Sequence, residues 1–67
     1  MTSLAEALPQ QQARVRELAA QYRSIGAAGV PAALMMEASL QAADRAAASG
    51  DVIAMIRAHE DLKGYSA

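Results

Sequence analysis

Cysteine is absent from this 67-residue chain, so neither a disulfide nor a cysteine-ligated zinc can staple it. Its one histidine, His59, cannot build a histidine-rich metal site. Phenylalanine and tryptophan are missing, and aromatics make up 3% of the chain. No excess of one charge is present: the net charge is -1, which argues against the clustered Lys and Arg that grip nucleic acid. No apolar run approaches the roughly 18 residues that span a bilayer. The N-terminus has no basic region followed by an apolar stretch, so no secretory signal is expected. No repeat of solenoid period and no low-complexity linker occurs. The expectation is a soluble cytoplasmic protein of one small domain, without a cofactor.

What is present is alanine. Hydrophobic residues reach 54%, but much of that is alanine, which contributes little burial per residue. The core must come from a few Leu, Ile, Val and Met side chains plus Tyr22. A chain this short buries only about 60% of the surface its unfolded form exposes. With disulfides and metal excluded, self-association or tight binding to another protein is the expected source of added stability.

Three helical segments are legible. The stretch PAALMMEASLQAADRAAA, residues 31–48, contains eight alanines and is the centrepiece. Alanine is the best helix former, and its small side chain admits a close neighbour. Pro31 suits the helix start, and Ser49-Gly50 follows its end. Met36, Leu40, Ala43 and Ala47 form one stripe, and Leu34, Ala38, Ala42 and Ala46 another. So apolar a circumference predicts partners on more than one side. The first helix is predicted over residues 9–25, opening at Pro9, with Val15, Leu18, Tyr22 and Ile25 on its buried stripe and Leu8 and Gln11 extending it. Ser3 and Glu6 have capping-box spacing, but an internal proline opposes a start there, so residues 1–8 read as a loose or separate turn. Gly26 suits a C-terminal cap, and Val30 before Pro31 should be extended. The third helix is predicted over residues 52–63. Asp51 is its N-cap, Gly50 holds a left-handed turn, and Arg57–Asp61 and Glu60–Lys63 pair on its outer face. Tyr65-Ser66-Ala67 reads as a frayed tail.

Catalytic chemistry has little to draw on. His59 has no nucleophile or acid placed beside it, since Glu60 and Asp61 point to other helix faces. Ser24, Ser39 and Ser49 lack a nucleophile context, and Glu37, Asp44 and Asp51 are too scattered for a carboxylate pair. No enzyme is expected. The Gly26-x-x-Gly29 turn lacks the Lys, Ser or Thr and the preceding strand of a phosphate loop. The second and third helices have helix-turn-helix spacing, but the third carries Arg57 and Lys63 against Glu60 and Asp61 and has no Asn or Gln for base edges.

The segments IGAAGVPAALMMEASLQAADRA and ASGDVIAMIRAHEDLKG resemble small helical proteins encoded by phages and prophages of proteobacteria. That resemblance implies a protein that binds and blocks a host or phage protein. The expected fold is all-α: a three-helix bundle, or a helical hairpin plus a short third helix, forming a homodimer or higher oligomer. The expected function is a non-enzymatic protein–protein interaction module. Its partner-binding candidates are Leu34, Met35, Met36 and Leu40, or the face made by Val52, Met55, Ile56, His59 and Leu62. A small helix-turn-helix-like regulator and a phage structural subunit are the alternatives.

Overall fold

A computed structural model, which describes residues 3–66, shows an all-α three-helix bundle. Helix α1 spans Leu4–Ser24, α2 spans Val30–Ser49, and α3 spans Val52–Lys63, with a short 3-10 turn at Ala27–Gly29 between the first two. At 1.5 Å per residue α1 is about 31 Å long, and it sets the 36 Å long axis of the bundle. Each helix packs against both others.

The first helix starts at Leu4, not at Pro9, which lies inside it. Proline there forfeits one backbone hydrogen bond and crowds the preceding turn, at about 3 kcal/mol. Burial outweighs this. Leu8 is 1% exposed, and fully burying such a side chain stabilises by about 1.5–3 kcal/mol; Leu4, partly buried against the same cluster, adds to this. The buried row runs through Leu8, Val15, Leu18 and Ala19, with Tyr22 packed at its edge. Ser3 holds the N-cap position, but through its carbonyl, which accepts from Ala7 N at 2.7 Å and Glu6 N at 3.1 Å. Its side chain makes no capping bond, so the capping box does not form. Met1 and Thr2 lie outside the described residues.

The connection from α1 to α2 turns on two glycines with different roles. Gly26 follows the Ile25 cap with φ of 100°, a conformation that side chains rarely adopt. Ile25 itself keeps a helical conformation but lies past the packed part of the stripe and is 65% exposed. Gly29 has an ordinary φ, but a Cβ there would lie 1.8 Å from the Tyr22 carbonyl oxygen. Glycine therefore lets the start of α2 touch the backbone of α1. Val30 is helical, not extended. The steric objection to a helical residue before proline is overcome as Val30 and Pro31 enter the first turn together.

Helix α2 buries one face, through Ala33, Met36, Leu40, Ala43 and Ala46, against α1 and α3. The rest of its circumference, with Leu34, Met35, Ala38, Ala42 and Ala47, is exposed within the single chain. The molecule closes its own core, with Val15, Ala33, Ala43 and Leu62 at 0% exposure. Gly50 takes the left-handed conformation at φ 71°, and the Asp51 side chain accepts from Ile53 N and Ala54 N at 3.0 and 3.2 Å. This turn reverses the chain, so α3 runs back along α2.

Candidate protein-binding surface

The nine candidate binding residues divide between core and surface. Met36, Leu40 and Leu62 are buried at 3%, 7% and 0% exposure. Their side chains fill the interior and cannot meet a partner. Met55 is half-buried and packs on the core, and His59 is also half-buried. Leu34, Met35, Val52 and Ile56 are on the surface, and Ile53 joins them. On α3 the helical period sets Val52, Ile53 and Ile56 on the side facing away from Ala58 and Leu62. On α2 Leu34 and Met35 stand near the helix start.

Polar contacts fix these faces in place. The guanidinium of Arg14 on α1 donates from Nη2 to the Leu62 carbonyl and from Nη1 to the Tyr65 carbonyl, both at 2.8 Å. Its Nε donates to Gln11 Oε1 at 2.9 Å. One side chain thus adds a second donor to the Leu62 carbonyl, which also accepts from Tyr65 N at 3.2 Å, and a donor to the Tyr65 carbonyl beyond the helix end. Tyr65 Oη lies 2.8 Å from Ser39 Oγ and donates to the Met35 carbonyl at 3.2 Å. Tyr22 Oη donates to the Ser66 carbonyl at 3.4 Å. Residues Tyr65 and Ser66 are therefore tied across α1 and α2, not frayed; Ala67 lies outside the described residues. Sequence reasoning missed Arg14 because its partners are about fifty positions away.

Between α1 and α2, Arg23 grips Glu37 with two hydrogen bonds of 2.6 Å. The hydrogen bond from Arg23, and secondarily its charge, holds the Glu37 carboxyl below its usual range, while the same contacts raise the Arg23 pKa. Gln12 Nε2 donates to Asp44 Oδ1 at 2.8 Å. The expected Glu60–Lys63 pair forms at 3.8 Å. The expected Arg57–Asp61 pair does not, and neither side chain has an ion-pair or hydrogen-bond partner among the described residues. His59 Nδ1 lies 3.9 Å from Glu60 Oε1.

Arg57 and Asp61 instead line an open groove between α2 and α3. Ala42, Arg45, Ala46 and Ser49 form one wall, and Ala54, Arg57, Ala58 and Asp61 the other. Among the described residues, no group of three His, Cys, Asp or Glu side chains could hold a metal ion, and no helix is long and apolar enough to cross a membrane. No family model, curated protein or solved structure matches the chain.

Proposed function

We propose that this chain is a non-enzymatic protein-interaction module that associates with itself and docks on another protein through its exposed apolar side chains. The carrying observation is that Leu34, Met35, Val52, Ile53 and Ile56 stand 49–64% exposed on a chain whose core is already closed. The total surface of 4321 Å² is near the roughly 4,000 Å² of a compact monomer of this mass. The exposed side chains therefore reflect the placement of residues on the surface, not a loose fold. Apolar side chains grouped on helix faces are a common mark of a protein-binding surface. The resemblance to small helical phage proteins makes an inhibitor or adaptor acting on a bacterial host protein the concrete form of the proposal.

A DNA-binding regulator is less well supported. The outward side of α3 offers Val52, Ile53 and Ile56, with Arg57 and Lys63 offset by Glu60. The test is capture from a bacterial lysate with the wild-type chain and with the double variant Ile53→Ser, Ile56→Ser. The expected result is one specific protein recovered by the wild type and lost roughly tenfold by the variant, as for a central apolar contact. No specific capture, or capture unaffected by the variant, would overturn it.

A further inference from the structure

The groove between α2 and α3 is charged unequally along its length. Tyr65, just beyond α3, touches Ser39 and Met35 of α2, and the turn at Gly50 joins the opposite ends of the two helices. Arg45 and Arg57 thus stand toward the turn, on facing walls of the groove. Asp61 stands about 6 Å further along α3, one helical turn toward Tyr65. All three side chains are exposed, and none has an ion-pair or hydrogen-bond partner among the described residues. The floor is alanine: Ala42, Ala46, Ala54 and Ala58.

A surface with a positive end and a negative end complements itself when turned by half a revolution. In such an isologous contact, residue i meets residue j and j meets i. An axis midway between Arg57 and Asp61 brings Asp61 of the partner subunit over Arg57, and Arg57 of the partner subunit over Asp61. We propose that this groove is the docking site for a second copy of the chain, closed by reciprocal Arg57–Asp61 ion pairs about a two-fold axis. The inference rests on the reading of the chain as self-associating. It leaves Val52 and Ile56, on the far side of α3, free for another protein.

The test is light scattering after size exclusion of the full chain and of two single charge reversals, with circular dichroism to confirm that each is helical. The wild type should elute with twice the 7.0 kDa chain mass, and should dissociate as salt rises. Arg57→Asp alone and Asp61→Arg alone should each weaken the dimer roughly 100-fold, because each sets like charges opposite one another. An equimolar mixture of the two variants should recover a dimer, since both cross-pairs between positions 57 and 61 are again of opposite sign. A wild-type chain that stays monomeric at several hundred micromolar would overturn both this inference and self-association. A dimer indifferent to both reversals, or a mixture that stays monomeric, would overturn the groove as its site while leaving self-association or protein capture standing.

Discussion

The two ends of α3 are held by different means. Its C-terminal end is tied from a distance: Leu62 is sealed in the core, and Arg14 and Tyr65 reach across to other helices. Its N-terminal end is held locally, by the Gly50 turn and the Asp51 cap, and presents Val52 and Ile53 to the surface. One end is built by tertiary contacts and the other by chain chemistry within a few residues. On α3 the exposed apolar side chains Val52, Ile53 and Ile56 gather toward the locally held end, while Leu34 and Met35 stand on α2 beside the other.

That contrast can be broken hardest at Leu62. Leu62→Ala should cost about 2–5 kcal/mol, a large part of the stability of so small a domain. The matching truncation Ile56→Ala should change it by less than about 0.5 kcal/mol. Urea unfolding of both variants checks the pair, and similar losses would mean that Ile56 is not a surface residue. Next comes Arg14→Met, which removes the guanidinium's hydrogen bonds to the Leu62 and Tyr65 carbonyls. The expected loss is about 2 kcal/mol, with hydrogen exchange accelerated at the end of α3 more than at its start. Asp51→Ala should cost about 1 kcal/mol and reverse that pattern, speeding exchange at Ile53 and Ala54.

The smallest effect is electrostatic and lies away from α3. The Glu37 pKa is lowered in the folded chain, so its pairing with Arg23 stabilises fully above the unfolded carboxylate pKa. That contribution is lost as the pH falls through the lowered folded value. Because the pair is exposed, the effect should be modest and salt-sensitive. Acid titration of stability in wild type and Arg23→Gln checks it, since the variant should lose part of the acid dependence.

Features decided within a few residues were legible in the sequence. The Gly50 turn, the Asp51 cap and the Val15, Leu18 and Tyr22 row all follow from local chemistry and period. Pro9 misled because a local penalty was outvoted by the burial of Leu8, a tertiary effect. The alanine rows of α2 misled because alanine suits a covered face and a bare one equally, so period alone could not tell Met35 from Met36. The same ambiguity placed Met36, Leu40 and Leu62 among the binding candidates. The Arg57–Asp61 spacing permitted a pair that the side chains do not make. The tie from Arg14 to the end of α3 left no trace in spacing, since its partners are far along the chain.

Gly29 carries a consequence for how the chain can vary. With the Tyr22 carbonyl where a methyl group would sit, even alanine at position 29 would wedge α1 from α2 at their closest approach. The damage would spread through lost alignment: Arg23 would drift from Glu37, and the Tyr22 hydroxyl would be drawn off Ser66. A residue with no side chain thereby sets the spacing on which its neighbours' side-chain contacts depend.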